Sequence, residues 1–439
     1  MSRTGRNWAR TELPQLVEKG IVPDDVAQRI REYYAEDESA NRMPLALAIC
    51  GVLGAVFIGL GVILMFAHNW EGLSRSVRAV LAFLPLIVGQ GLVAFTLLRK
   101  SNSIAWIEGS GTFLALMIGA CIALVSQTYQ IPGDIGGFLL AWALLGLPII
   151  YLVDSRIAAA LYVIAITTWA GYHQGRGESA IGHWFLLALI APYVYNVCRA
   201  EPSGARVSAL SWTIAICLCF SVGFVMEDTI EELWPITFAS LFSAMFLFGH
   251  DSRQDGLLGW RKAYFVVGGI GAGVLLLILT YERPWDQFGH SGYRLVDGPF
   301  WSVVNDFVVL AVLFVAALSL LTRSILARKK EDVLLGLFPV VTALACGVAA
   351  LAEFELPAVV LVNVYMFGLG VGISALGLRN MRLGLVNMGL MILGAWIVAR
   401  FFDLDVGFFV RGLMFIVLGI SFLSVNFILV RRQQKEVTT

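Results

Sequence analysis

Fourteen apolar stretches divide this chain, and its basic residues fall almost entirely into every second gap between them. The stretches lie at roughly 45–67, 77–98, 107–126, 136–153, 157–172, 182–198, 208–226, 233–249, 262–281, 301–321, 333–351, 357–377, 382–401 and 406–430. Each is close to the ~20 residues that cross a hydrocarbon core of roughly 30 Å as a helix. In such a core every backbone polar group needs a partner, so a run of this kind folds as a helix. The gaps are mostly short, which makes successive helices antiparallel neighbours. The expected fold is therefore all-α, a polytopic integral membrane bundle of about 14 transmembrane helices.

Lys and Arg set the orientation of such a bundle. Of the 31 in the chain, 24 lie on one side, seven of them in the leader; Arg75, Arg78, Arg176, Arg283, Arg294, Arg400 and Arg411 lie on the other. The basic side is expected to be cytoplasmic. Both termini fall on it, as an even number of spans requires.

A composition of 58% hydrophobic and 14% charged residues, with mean hydropathy +0.79, excludes an ordinary soluble globule. All six cysteines sit inside apolar runs, where a thiol serves as a small buried hydrophobe, and no disulfide framework or zinc spacing is visible. The first apolar run begins at Leu45, behind a polar leader longer than a signal peptide's basic region, so no cleavable signal is expected. The acidic outer gaps, such as Glu227-Asp228 and Glu231-Glu232, lack the basic footprint that nucleic acid requires.

The organisation read from the pattern is a cytoplasmic leader over 1–44, a four-helix segment over 45–160 and central helices over 161–330. A C-terminal four-helix segment over 331–430 and a tail over 431–439 complete it. In the leader, Leu13 to Lys19 reads as a short helix stopped at Gly20. Asp24 starts a second helix, with Val26, Ile30 and Tyr33 on one face. Such a leader offers a docking element for a cytoplasmic protein partner, or simply a solvated amphipathic surface.

Residues 10 to 160 carry a recognisable set of segments: "LVEKGIVPDDVAQRI", "FAHNW" at the end of the first span, "VSQTYQIPGD" after the third and "FLLAWALLGLPIIYLVDS" in the fourth. Together they resemble a bacterial family of predicted membrane proteins known as domain of unknown function 2157. "GLVNMGLMILGAWIVARFFD" and "RGLMFIVLGISFL" look like the C-terminal part of the same or a sister family. The resemblance implies an integral membrane protein of a bacterial cytoplasmic (inner) membrane and brings no reaction with it.

Two polar constellations fall on the outer face. His68, Asn69 and Trp70 close the first span, Gln127, Tyr129 and Gln130 close the third, and Asp134 and Trp142 open the fourth. Together they offer a ligand pocket with amide donors and aromatic walls, or an interfacial aromatic belt. The second constellation is Arg400, Asp403, Asp405 and Arg411, in the turn between the last two spans. It reads as a structural ion pair, or as an anion site for which the guanidinium fork is suited. Among His68, His173 and His183 no pair has metal-ligand spacing on one helix, so no metal site is assigned.

No charged residue lies near the middle of any span, which removes the usual marks of a midplane ion relay. The intramembrane amides Gln90, Asn363 and Asn387 are expected to bond between helices. There is no phosphate-binding glycine loop and no serine nucleophile elbow, so no cofactor is expected. Three functions stay open. Transporter- or flippase-like handling of a lipid-like or small neutral substrate fits best; a sensor or scaffold recruiting partners comes second. An intramembrane transferase on a lipid-linked donor is third, and needs His68 and Arg400 to converge. Membrane lipids are the expected partners, and the oligomeric state is open.

Overall fold

The computed structural model describes residues 13–29, 72–226, 233–250, 259–286, 300–351 and 355–403, with a few positions between 412 and 420. The stretch at 45–67, all but those few positions of 406–430, the side chain of Asp403, and His68, Asn69, Trp70, Asp405 and Arg411 lie outside the described residues or side chains. The chain divides into two compact units, Met1–Arg78 and Ala79–Thr439.

In the first unit, helix α1 (Leu13–Glu18) ends where the Gly20 backbone turns left-handed at φ +67°. The Gly20 and Ile21 N–H groups bond back to the Val17 and Leu16 carbonyls and close the helix. A second helix, α2, covers 24–29. Its start is as expected, but Ala27 is the fully buried residue while Val26 is 39% exposed.

Each of the twelve apolar stretches between the first and the last forms helix among the described residues. In chain order they are α3 (Arg75–Arg99), α4 (Ile104–Tyr129), α5 (Ile135–Val153), α6 (Arg156–Gln174), α7 (Gly182–Ala200) and α8 (Ala205–Val225). There follow α9 (Trp234–His250), α10 (Arg261–Leu279), α11 (Phe300–Leu326), α12 (Lys330–Gly336) with α13 (Phe338–Leu351), α14 (Leu356–Arg379) and α15 (Leu383–Asp403). Among the described residues nine helical segments, counting α12 and α13 as one, are long and apolar enough to cross a membrane. α9 is apolar but shorter, at 17 residues. α6 and α7 fall outside that set: α6 is a central helix, with Ala158, Ala159, Ala165 and Ala170 buried among its neighbours, so packing rather than lipid contact dictates its composition.

One expected span is broken. The stretch at 333–351 is two helices, parted at Leu337, because Pro339 has no N–H for the Leu335 carbonyl and its ring crowds that turn. The carbonyls around the break find side-chain donors instead. The Ser243 hydroxyl reaches Leu335 O at 3.4 Å and the Tyr365 hydroxyl reaches Leu334 O at 2.7 Å. Inside a membrane bundle that substitution is what makes the break tolerable. By contrast, α3, α5 and α7 run on through Pro85, Pro148 and Pro192.

The core has two main centres. One gathers α4 to α8 around Ile150, Tyr162, Ile166 and Ile190. The other gathers α9 to α15 around Leu276, Phe338, Val362 and Met366, and a smaller cluster at Leu241, Met245 and Tyr264 joins them. Backbones approach most closely between α9 and α10. A Cβ on Gly268 would collide with the Phe246 backbone nitrogen and the Phe242 carbonyl, so only glycine fits there.

Candidate functional site

The third span ends in a tight reversal. Gln130 is left-handed at φ 51°, its N–H and that of Ile131 both bond to Ser126 O, and the Ser126 hydroxyl donates to Ile131 O at 3.1 Å. The chain then turns through Pro132 and Gly133 to Asp134. The Asp134 carboxylate caps α5 by accepting the Gly137 N–H at 2.8 Å. From Asp134 a polar chain runs outward: the Tyr172 hydroxyl donates to it at 3.3 Å, and Arg176 Nη1 donates to the Tyr172 oxygen at 3.1 Å. Arg176 Nε meets Glu178 at 3.1 Å, and Glu178 meets His173 Nδ1 at 2.8 Å. The Gly137 N–H, above all, holds the Asp134 carboxyl below the usual carboxylate range, with Tyr172 and Arg176 acting in the same sense.

Beside this strip, α3, α4, α5 and Tyr172 of α6 line a cavity of about 1220 Å³. Its walls are mostly apolar, with Phe83, Leu114, Ile118 and Phe138 among them, and its polar groups are Gln90, Ser126, Gln127, Asp134 and Tyr172. That mixture suits an amphipathic or lipid-like guest, since apolar walls supply affinity and a few polar groups fix orientation.

Among the outer residues singled out in the sequence, Gln127 and Asp134 line this cavity. Tyr129, at 52% exposed, and Gln130, the turn residue, are not among its lining residues. Trp142 does structural work instead: its indole N–H donates to Ala115 O at 2.7 Å and its ring covers Gly119. Gln90, expected to bond between helices, lines the cavity, whereas Asn363 does bond between helices, donating to Thr280 O at 3.0 Å and accepting from Trp396 at 2.8 Å. His183 is fully buried with Nδ1 at 3.1 Å from Ile166 O. Among the described residues no group of His, Cys, Asp and Glu is placed to hold a metal.

Arg400 lies against the end of α10. Its guanidinium donates to Thr280 O at 3.0 Å and to the Thr280 hydroxyl at 3.1 Å, and stacks over Tyr281 at 4.6 Å. A cation there satisfies a carbonyl at a helix C-terminus. Trp285 completes the cap: it is fully buried and donates to Leu279 O at 2.9 Å, so the chain just after α10 folds into the bundle.

A further cluster, at the opposite ends of these helices, had no sequence signal beyond the presence of its charges. Glu108, 8% exposed in the second turn of α4, accepts from Ser155 Oγ at 2.7 Å, the Arg156 and Ile157 N–H groups at 3.2 and 3.1 Å, and Arg206 at 3.2 Å. It thus places a carboxylate on the N-terminus of α6, where the helix dipole and unpaired N–H groups favour an anion. Arg156 pairs with Asp154 at 2.8 Å and Glu201 at 3.4 Å, which ties α6 to the end of α7.

The helices, their length and their apolar faces define a multi-pass membrane protein. Residues 14–159 match the family described as a predicted membrane protein (DUF2157). That match takes in α3, α4 and α5 around the cavity and the Glu108, Asp154 and Arg156 end of the second cluster, and stops before Tyr172 and the C-terminal hairpin. No curated protein and no solved structure matches the chain.

Proposed function

We propose that this protein works in a bacterial inner membrane with both termini cytoplasmic, and handles a lipid-like or small neutral substrate in a transporter- or flippase-like manner through the α3–α6 cavity. The carrying observation is the cavity itself: about 1220 Å³, largely apolar, with Gln90, Gln127 and Asp134 along it. It lies at the end of the helices where few basic residues fall, which the distribution of Lys and Arg assigns to the outer face. Leu114 and Ile149 of its wall pack with Val93 and Val153, and the Glu108 cluster lies further along the same helices. A substrate would thus enter from the outer leaflet or outer face.

Reconstitution into vesicles tests this. Fluorescent short-chain phospholipids or a neutral solute should cross faster with the protein than without it, and Ile118→Trp, which fills the cavity, should remove most of the gain. No gain with either class of probe overturns the transport reading. Cysteine accessibility at position 90 that no substrate alters points instead to a cavity filled by the protein's own chain and to a sensor or scaffold.

A further inference from the structure

The end of the bundle where basic residues gather holds a second cavity, of about 640 Å³, between α6, α7, α8, α9 and α10. Its depth is walled by Val163, Ile190, Val194 and Leu218. Its mouth carries Arg199 from the last turn of α7 and Arg261 from the first turn of α10, with Tyr195 and Trp260 beside them. Both guanidiniums therefore sit at helix ends, and in a bilayer spanned by α8 and α10 they would lie at headgroup depth with the space beneath them at the depth of acyl chains.

The mouth is arranged for an anion. Arg261 lies over the rings of Phe248 at 4.8 Å and Trp260 at 5.3 Å, which fixes the plane of its fork. Arg199 is exposed and reaches the Tyr195 hydroxyl only at 3.5 Å. The Trp260 indole N–H is buried with no acceptor among the described residues. An indole N–H withheld from both water and protein acceptors carries a desolvation cost that a ligand oxygen would relieve. A free phosphate would engage the mouth and leave the apolar walls uncovered; a neutral lipid would cover the walls and leave the exposed Arg199 with no more than its 3.5 Å contact to Tyr195.

We infer that this cavity binds an anionic phospholipid of the basic-side leaflet, one acyl chain between α6 and α8 and the phosphate between Arg199, Arg261 and the Trp260 N–H. Basic pockets between membrane helices recognise such headgroups by the same combination of charge and apolar depth. The site lies at the opposite end of the helices from the α3–α6 cavity and does not depend on transport.

Quenching of Trp260 tests it. The full chain is placed in phosphatidylcholine vesicles, and acyl-brominated phosphatidylglycerol or acyl-brominated phosphatidylcholine is added in steps. The Trp260 signal is the difference between wild type and Trp260→Phe. Half-quenching should occur at an about fivefold lower fraction of the brominated phosphatidylglycerol, the scale of one arginine at an anionic headgroup. Arg199→Gln should abolish that preference, and so should Ala191→Phe, which fills the cavity without touching a charge. If Ala191→Phe does not fold, the exposed Arg199 still gives the answer. Equal quenching by both lipids in wild type reduces the site to ordinary lipid contact. A preference that survives Arg199→Gln places the anion elsewhere. Either result overturns the inference.

Discussion

At the residue scale, a few side chains convert charge and hydrogen bonding into helix order. Glu108 is the clearest: one buried carboxylate serves two helix-terminal N–H groups, a hydroxyl and a guanidinium. Glu108→Ala leaves the Ser155 hydroxyl and the first N–H groups of α6 without their acceptor and Arg206 with only Glu201 at 3.5 Å, and should cost about 1–3 kcal/mol, the scale for leaving buried donors unsatisfied. Glu108→Gln, which keeps an acceptor oxygen, should lose clearly less; equal losses, read by denaturant unfolding in detergent, would show that the carboxylate charge is idle. Asp134 adds a pH dependence. Its carboxyl titrates lower in the folded protein than its ordinary 3.8, so its contribution is complete above about pH 4 and disappears as pH falls through the lowered value. Asp134→Asn, which still caps, should flatten the acid limb of an unfolding-versus-pH curve relative to wild type. Arg400→Ala loses bonds to the Thr280 carbonyl and hydroxyl and the stack on Tyr281, for about 1.5–3 kcal/mol. The carboxylate partner expected at Asp403 has its side chain outside the described set. A matching loss in Asp403→Asn would restore the ion-pair reading.

At the scale of elements, the α12–α13 break shows how a proline is accommodated in a membrane helix. Ser243 and Tyr365, from α9 and α14, supply the donors that the broken helix lacks. Ser243→Ala and Tyr365→Phe should each destabilise by about 1 kcal/mol, the usual net value of such a bond. In Pro339→Ala the helix can make its own bond to Leu335, so Ser243→Ala should then cost almost nothing. A full cost in that background would break the argument. The α9–α10 contact makes the complementary case. Gly268→Ala puts a methyl against the Phe246 backbone, and overpacking of this kind costs about 1–3 kcal/mol.

At the scale of the whole molecule, the arrangement follows from alternation. Glu108, Arg156 and Arg206 meet at one end of the α4–α8 helices, and Asp134, Tyr172 and Arg176 meet at the other. Only antiparallel neighbours in sequence order allow both meetings. With the basic end cytoplasmic, a cysteine placed at Gly133 should react with an impermeant thiol reagent from outside and one at Ala327 should not. The reverse labelling would invert the orientation.

The helices, the short leader helices and the alternation of ends were legible in the sequence because hydropathy and the distribution of charge are local properties that a bilayer reads directly. Gln127 and Asp134 could be placed near a pocket for the same reason, being polar groups at a span end. What only the tertiary structure decided was which polar side chains turn toward a cavity and which are consumed by packing. Trp142 was absorbed by Ala115 and Gly119, Gln90 lines the cavity, and Tyr172 reaches Asp134 from another helix. Those outcomes depend on helix rotation and neighbour choice. They are set by small residues such as Gly268 and by buried partners such as Glu108, whose contacts lie tens of residues away along the chain.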